Sequence, residues 1–343
     1  MRALLYVIVA LAAPAFAQGT AYSERPEVKA FVQGMVERHG FVESELSYLF
    51  SRVYRADQVI EAMERPAEKT KPWRDYRAIF LDERRVLDGV TFWQEQRRTL
   101  ERAERAYGVP PEYIVAIIGV ETFYGRRPGR HRVIDALATL AFDYPPRAGF
   151  FRSELEHYLL FSRDRGVDVF AMRGSYAGAM GMPQFMPGSA RQYGVDFDRD
   201  GHVDLRRSPS DAIGSVANYF KQHGWRKDGT VLLPARASGD AWRSLGGGFE
   251  PKLPLAKWLE AGVELDRPAQ GLEDLPATPV ELAADEFRMG FRNFYVLTRY
   301  NRSAMYAASV HDLAQALRAR AAKPPAQKPG PQKSAATPQR EGK

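Results

Sequence analysis

The chain has 343 residues and a mass of 38.6 kDa, more than one hydrophobic core usually serves, so we expect two domains or one domain with a large insertion. Because 45% of the residues are apolar and 27% are charged, the composition excludes a disordered or fibrous protein. The absence of cysteine excludes disulfides, thiolate zinc sites, a cysteine nucleophile and an acylated cysteine as a lipid anchor.

The net charge of +7 is concentrated at the two ends of the chain. Residues 321–343 carry a net +4 and Arg2 adds +1, which leaves the rest of the chain near +2. This part of the chain is too close to neutral to have the basic surface of a nucleic-acid-binding domain, so we expect no nucleic-acid partner. The Pro/Ala/Gln-rich tail is instead typical of a flexible segment that can lie against an anionic surface.

Residues 1–17 have the pattern of a secretory signal peptide. Arg2 precedes an apolar run, and Ala15-Phe16-Ala17 forms a small-x-small cleavage pattern. The run is shorter than the roughly 20 residues that span a bilayer, and no later uncharged apolar stretch is long enough. We therefore expect a soluble periplasmic protein, exported by a cleaved signal peptide, with neither a transmembrane nor a lipid anchor.

From Glu27 to about Ala106, apolar residues spaced three and four apart predict helices, and one helical pattern runs from Tyr76 to Trp93. The segment Pro66–Pro72 is a connector. Pro110-Pro111 opens a further helix with Glu112 in its first turn, which suits the fixed proline φ and the helix dipole.

The composition and the apolar pattern change twice in the second half of the chain. Residues 174–203 are rich in glycine and methionine, and short apolar stretches broken by glycine and proline between Gly229 and Arg288 predict a small β-rich insertion. The remaining helical patterns cover Ser210–His223, Phe287–Tyr300 and Ala304–Arg320. The fold class is therefore mainly α, of the α+β type.

A candidate catalytic acid lies at the end of the helix that Pro110-Pro111 opens. Four of its residues fall on one helix face at i, i+3, i+4 and i+7: Ile114, Ile117, Ile118 and Glu121. Apolar neighbours disfavour the ionised carboxyl, so the pKa of Glu121 should rise, as a general acid requires. The alternative is a carboxylate at an exposed helix end that pairs with Arg126, Arg127 or Arg130.

Four segments resemble one family in the same order along the chain. Val120–Gly125 resembles the Glu-(Ser/Thr)-x-Tyr-Gly box of lytic transglycosylases, and Gly174–Ser189 resembles their Gly-Ala-Met-Gly-x-x-Gln-Phe-Met-Pro box. Asp211–Tyr219 and Phe294–Ala307 resemble two further boxes. Together these segments are similar to the lytic murein transglycosylase B family, over about residues 27 to 317.

The resemblance implies a lysozyme-like helical core with an N-terminal α region and a small β insertion. On this basis we divide the chain into six segments: the signal peptide 1–17, an N-terminal helical region 18–106, the catalytic core 107–228 with a calcium loop at 196–211, the β-rich insertion 229–288, C-terminal helices 289–320 that complete the core, and a disordered basic tail 321–343.

The activity that the resemblance implies is cleavage of the β-1,4 bond between N-acetylmuramic acid and N-acetylglucosamine in peptidoglycan, without water, to leave a 1,6-anhydro-muramyl end. Glycosidases usually need two carboxylates, but this reaction can use one. Glu121 would protonate the leaving oxygen, the acetamido group of the substrate would support the charge at C1, and the Glu121 carboxylate would take the proton from O6.

The resemblance also implies substrate contacts. Ser175 and Gln184 would hydrogen-bond the acetamido and leaving-group region, and Arg147 would bind a peptide or sugar carboxylate, although Pro146 replaces the first of the two arginines that the family often has. The residues that would contact the saccharide are Tyr76, Phe185, Tyr219, Tyr300, Asn301 and Tyr306. Each tyrosine could instead be a packing residue, and Ser175 could merely cap a turn.

The segment Asp196–Asp204 has the spacing of an EF-hand-like loop. Acids occupy positions 1, 3, 5 and 9, glycine occupies position 6, and His202 offers a backbone carbonyl at position 7. Arg207 replaces the glutamate of position 12, so Asp211 is the available closing ligand. We predict one structural Ca²⁺, held by Asp196, Asp198, Asp200, His202 and Asp211; the alternative is a solvated acidic turn.

Other classes of protein fit less well. The six histidines form no His-Glu-x-x-His pair, and neither a Gly-x-Ser-x-Gly elbow nor a P-loop occurs. A hydrolytic muramidase and a non-catalytic peptidoglycan-binding or scaffold protein remain as alternatives. We expect a monomer whose partners are peptidoglycan glycan strands, with cell-wall enzyme complexes as further candidate partners.

Overall fold

The computed structural model describes residues 21–64 and 71–322, which form two compact units. The first unit contains the described residues up to Lys71 together with Glu121–Tyr219, and the second contains Pro72–Val120 and the described residues from Phe220 onward. Among the described residues, no helix is both long enough and apolar enough to cross a membrane.

Two predictions fall outside the described residues. These are the signal peptide 1–17 and nearly all of the basic tail 321–343; most of the connector Pro66–Pro72 also lies outside them.

The first unit is mainly helical. Its helices are α1 (Pro26–His39), α2 (Glu43–Ser51), α3 (Asp57–Glu64), α8 (Val133–Asp143), α9 (Ala148–Arg165) and α10 (Pro187–Tyr193). Its two short strands, β1 (His131–Arg132) and β2 (Arg173–Gly174), pair antiparallel. Gly40 and Gly166 end α1 and α9 in the left-handed conformation, where glycine avoids the steric cost of a side chain. Helices α7 (Pro111–Thr122) and α11 (Pro209–Gln222) contribute residues to both units.

The second unit adds the remaining helices. These are α4 (Trp73–Ala78), α5 (Glu83–Glu95), α6 (Arg97–Tyr107), α12 (Leu255–Glu260), α13 (Arg292–Tyr300) and α14 (Ala304–Ala321). The single helical pattern predicted from Tyr76 to Trp93 is in fact interrupted after α4. The Asp82 side chain causes α5 to begin anew, because it accepts a hydrogen bond from the Arg85 backbone N–H at 2.8 Å.

A five-stranded antiparallel sheet lies in the second unit, in the segment where a β-rich insertion is predicted. Its strands are β3 (Leu232–Ala237), β4 (Leu253–Pro254), β5 (Val263–Leu265), β6 (Pro276–Ala283) and β7 (Glu286–Gly290), in the spatial order β4-β6-β7-β3-β5. The sheet has its own apolar core around Trp258, whose indole N–H donates to the Ala277 carbonyl at 3.0 Å. The fold is thus mainly α with a small β-rich insertion, as predicted.

The helix predicted to begin at Phe287 begins later. Residues 286–290 instead form β7, which pairs with both β3 and β6, and α13 begins at Arg292 after the extended residue Phe291. Pairing on both sides satisfies the backbone of this segment, so long-range contacts override its helical apolar spacing.

Candidate active site

Helix α7 is buried along nearly its whole length. Residues 111–119 are all buried, and Ile114, Ile117 and Ile118 have no exposed surface. The sequence predicts one apolar face, but the structure buries every side of the helix. Glu121, in the last turn, is half-buried. The last turn of the helix therefore presents the Glu121 carboxylate at the edge of a largely apolar core.

The chain leaves α7 through a left-handed turn. Phe123, Tyr124 and Gly125 have φ values of 52°, 60° and 83°. Aromatic residues rarely adopt positive φ, and such conformations cost about 1–3 kcal/mol each, so surrounding contacts must hold them. Thr122 supplies two such contacts: its hydroxyl accepts from the Gly125 N–H at 3.0 Å and donates to the Met182 carbonyl at 2.9 Å.

Thr122 has no exposed surface, and it connects the end of α7 to the glycine- and methionine-rich loop of residues 172–186. Gly125 packs closely against the same loop, since a Cβ there would lie 3.3 Å from Met182. Sequence reasoning did not select Thr122, although it stands at the Ser/Thr position of the Glu-(Ser/Thr)-x-Tyr-Gly box. It is the neighbour of Glu121 in the sequence, so its two hydrogen bonds act on the backbone next to that carboxyl.

Ser175 opens the tight turn of the 172–186 loop. Its hydroxyl oxygen accepts hydrogen bonds from the N–H groups of Ala177 at 3.2 Å and Ala179 at 3.0 Å. The residue thus does cap a turn, as the alternative reading proposes. Among the described residues nothing accepts the Ser175 hydroxyl proton, so this half-buried group can still donate to a ligand.

Gln184 closes the same loop and offers a hydrogen-bond acceptor, whereas Ser175 offers a donor. Its side-chain amide N–H₂ donates to the carbonyls of Pro128 at 3.1 Å and Gly181 at 2.9 Å. Two carbonyl partners determine the orientation of the amide, so its oxygen points away from them. No donor to that oxygen is present among the described residues. Ser175 and Gln184 therefore offer one donor and one acceptor to a polar ligand.

Two predicted saccharide contacts pack together in the first unit. The rings of Phe185 and Tyr219 lie 5.5 Å apart, and Tyr193 meets Tyr219 edge-on at 4.9 Å. Phe185 is only 2% exposed and Tyr219 7%, so both belong to the packed interior. Arg147 is exposed, with its guanidinium 4.4 Å from the ring centroid of Phe150.

The other predicted saccharide contacts belong to the second unit. Tyr76 and Tyr306 are each 3% exposed, Tyr300 is half-buried with its ring 6.0 Å from that of Phe220, and Asn301 is exposed.

The acidic loop brings three of its predicted metal ligands together. Carboxylate oxygens of Asp196, Asp198 and Asp211 lie within 4.8 Å of one another. Asp211 is fully buried, and its oxygens accept from the N–H groups of Phe197 at 2.7 Å and Asp204 at 2.8 Å. Burial, and to a smaller extent the charge of Asp198, raise the pKa of Asp211.

The remaining acids of the loop support its turns. Asp200 accepts from the N–H of His202 at 2.8 Å, and Asp204 accepts from those of Arg206 and Arg207, both at 2.9 Å. Asp200 thus lies outside the cluster of three carboxylates. Three hard oxygen donors at this spacing fit a calcium ion, which would also relieve their mutual repulsion.

The family model for the transglycosylase SLT domain matches residues 23–315 of this chain. The chain belongs to the SLT-domain transglycosylase family. The chain is also 42% identical over 309 residues to membrane-bound lytic murein transglycosylase B of Escherichia coli strain K12. The aligned residues cover 87% of this chain and 84% of that protein.

The chain is also similar to solved lytic transglycosylase structures that contain ligands. The E. coli lytic transglycosylase Slt35 in complex with calcium is 41% identical with a TM-score of 0.79, and the match covers 88% of this chain and 95% of that one. SltB3 from Pseudomonas aeruginosa in complex with NAG-anhNAM-pentapeptide is 31% identical with a TM-score of 0.77, and the match covers 88% of this chain and 80% of that one.

Replacing Thr122 by valine should lower both activity and stability. The change keeps the shape of the side chain but leaves the Met182 carbonyl and the Gly125 N–H without their partner, at about 1–3 kcal/mol for each buried group. We expect a lower thermal midpoint and a lower kcat on peptidoglycan. Thr122→Ser keeps the hydroxyl and is the matched control; equal losses in both variants would mean that the hydroxyl does not position Glu121.

Proposed function

We propose that this protein is a peptidoglycan lytic transglycosylase that cleaves the β-1,4 bond between N-acetylmuramic acid and N-acetylglucosamine and leaves a 1,6-anhydro-muramyl end. Membership of the SLT-domain family supports this activity. The observation that carries the proposal is the link from Glu121 through Thr122 to the loop in which Ser175 and Gln184 offer a donor and an acceptor.

Glu121 would act first as the general acid. Its proton passes to the glycosidic oxygen, and the bond between that oxygen and C1 of the muramyl residue breaks. The positive charge that develops at C1 is taken up by the acetamido oxygen of the same sugar. Gln184 would accept a hydrogen bond from the acetamido N–H, which increases electron density on that oxygen, while Ser175 would donate to a sugar oxygen beside the scissile bond.

Glu121 would then act as the general base. The carboxylate removes the proton from the O6 hydroxyl, O6 bonds to C1, and the acetamido oxygen is released. One C–O bond is broken and one is formed, no water is consumed, and the proton returns to Glu121. A single carboxyl group therefore completes the cycle, in contrast to the two that most glycosidases use.

The saccharide contacts complete the proposed site. Within the first unit, Phe185 and Tyr219 would support the groove with their packed rings. Tyr76, Tyr300, Asn301 and Tyr306, which belong to the second unit, remain predicted saccharide contacts. Arg147 would bind a carboxylate of the peptide stem, because an exposed guanidinium matches a carboxylate in both charge and shape.

We also propose that the acidic loop binds one structural calcium. Asp196, Asp198 and Asp211 would supply carboxylate oxygens, and Asp200 and the His202 carbonyl would complete the set. The bound ion would neutralise the acids and hold the loop in shape. The loop is packed on α11, since a Cβ at Gly214 would lie 2.4 Å from the ring of Phe197, and α11 carries Tyr219.

The proposed site of action is the periplasm. The signal-like pattern of residues 1–17 supports export, and peptidoglycan would be the partner there. The E. coli relative is described as membrane-bound, but this chain has no cysteine to carry a lipid. The monomeric state, the cell-wall complexes and the division into a helical region, core, insertion and closing helices remain predictions.

Glu121→Gln should abolish turnover while the fold and glycan binding remain. The amide can neither donate the proton nor take it back, and acid–base catalysis contributes at least about 10²–10⁴-fold. The measurement is release of muropeptides from purified sacculi, with thermal unfolding as the control for folding. Retention of more than about a tenth of wild-type activity would exclude Glu121 as the proton donor.

Removing calcium should lower the stability of the protein without changing the chemical step of bond cleavage. At a free calcium concentration of about 100 times the dissociation constant, binding stabilises the native state by about 2.7 kcal/mol. A chelator should therefore lower the thermal midpoint of the wild type, and Asp198→Asn should reduce that difference. Asp240→Asn, an exposed acid in the second unit, is the control. An unchanged wild-type midpoint on chelation would contradict the metal site.

A further inference from the structure

Five side chains of the first unit stack alternately on its surface: Tyr48, Arg52, Phe170, Arg132 and Tyr54. The Arg52 guanidinium lies 5.7 Å from the ring centroid of Tyr48 and 5.5 Å from that of Phe170. The Arg132 guanidinium lies 4.9 Å from Phe170 and 5.6 Å from Tyr54. We call these five residues the aromatic–arginine ladder.

The two ends of the ladder are open to solvent. Tyr48 is 62% exposed and Tyr54 is 66% exposed, so neither ring contributes much to the core. Large apolar groups that remain exposed in a defined cluster are typical of binding surfaces rather than of folding requirements. Tyrosine in particular presents a broad apolar face with a polar tip.

The ladder is held in place before any ligand arrives. Arg132 pairs with Asp135 at 2.9 Å and donates to the Arg52 carbonyl at 3.0 Å. Asp135 also accepts from the Tyr54 N–H at 3.1 Å. A surface whose side chains are already ordered loses less conformational entropy on binding than a mobile one.

One cation of the ladder is left for an anionic ligand. Asp135 compensates Arg132, whereas Arg52 donates to the Tyr48 hydroxyl at 3.0 Å and has no carboxylate within ion-pair distance among the described residues. Arg173 and Arg130, both exposed, form no ion pair in the described part of the chain, although the charge of Arg173 also acts on Asp135. This side of the unit therefore favours a ligand that combines sugar faces with carboxylates.

The ladder continues directly into the candidate active site. Arg132 lies opposite Arg173 in the β1–β2 pair, His131 lies opposite Gly174, and Ser175 follows at once. Paired strands are about 4.8 Å apart, so a polymer seated at Ser175 has only one strand to cross before it reaches the ladder.

We propose that the aromatic–arginine ladder is a second binding surface for the same peptidoglycan strand, on the far side of the β1–β2 pair from Ser175. The C–H faces of β-linked sugars would pack on Tyr48 and Tyr54, and Arg52 would bind a carboxylate of a peptide stem. This inference rests on the proposed function, because it takes the polymer at Ser175 to be peptidoglycan. The ladder would determine how activity depends on strand length, whereas the proposed function specifies the bond that is broken.

The test compares long and short substrates. We would measure kcat/KM on purified long glycan strands and on a muropeptide tetrasaccharide. Three proteins are compared: the wild type, the double variant Tyr48→Ala/Tyr54→Ala, and the single variant Arg52→Ala. In the double variant we expect the ratio of the long-strand value to the tetrasaccharide value to fall about tenfold, as loss of two aromatic contacts predicts. Leu87→Ala, which removes an exposed apolar side chain from the second unit, should leave the ratio unchanged.

Binding is measured separately with the same substitutions in the Glu121→Gln background, on insoluble sacculi and on vesicles of anionic phospholipid. Weaker binding to sacculi alone supports the proposal. An unchanged length ratio, an equal loss on both substrates, or a loss confined to the vesicles would overturn it. Wild-type products with reducing ends would contradict the proposed function instead, and would leave the length ratio as a valid measurement.

Discussion

The buried hydroxyl of Thr122 is the contact on which the arrangement of the candidate site depends. Helix α7 ends inside the protein, and the chain leaves it through two aromatic residues with positive φ, a conformation that they do not adopt without external support. Thr122 provides that support and bonds the same turn to the loop of Ser175 and Gln184. The neighbouring carboxyl of Glu121 is thus carried by a rigid helix on one side and a fixed turn on the other, which limits its freedom relative to a substrate.

A second constraint connects the acidic loop with an aromatic residue of the proposed groove. Asp211 stands in the first turn of α11 and receives backbone hydrogen bonds from the loop, and Gly214, one turn later, leaves room for the Phe197 ring. Tyr219 lies further along the same helix and packs on Phe185 and Tyr193. Calcium at Asp196, Asp198 and Asp211 would therefore act on the groove through α11 and take no part in bond cleavage.

Much of the fold could be predicted from local patterns, and the exceptions have physical reasons. Proline at the start of α7, apolar spacing in the N-terminal helices and the glycine-broken strands all act over a few residues, so they are visible in the sequence. Helix α8 escaped prediction because nearly every residue from Val133 to Ala141 is buried, which removes the polar side of an amphipathic pattern. Strand β7 was misassigned because its pairing with β3 and β6 involves residues distant in sequence.

Local sequence patterns likewise predicted only part of the candidate site. Spacing indicated Glu121 and the acidic loop, but it could not show that Thr122 bonds to Met182, about 60 residues away, or that Asp204 caps a turn while Asp211 is the buried centre of the loop. The donor at Ser175 and the acceptor at Gln184 became recognisable only from their bonds to the backbone.

In the proposed reaction, O6 of the substrate, and not water, completes the cleavage at Glu121. The most direct measurement is digestion of purified sacculi by the wild-type protein in water labelled with heavy oxygen, followed by mass spectrometry of the released muropeptides. We expect muramyl ends that are one water lighter than reducing ends and that carry no label. Reducing ends with a labelled oxygen at C1 would contradict it and would make the protein a hydrolase.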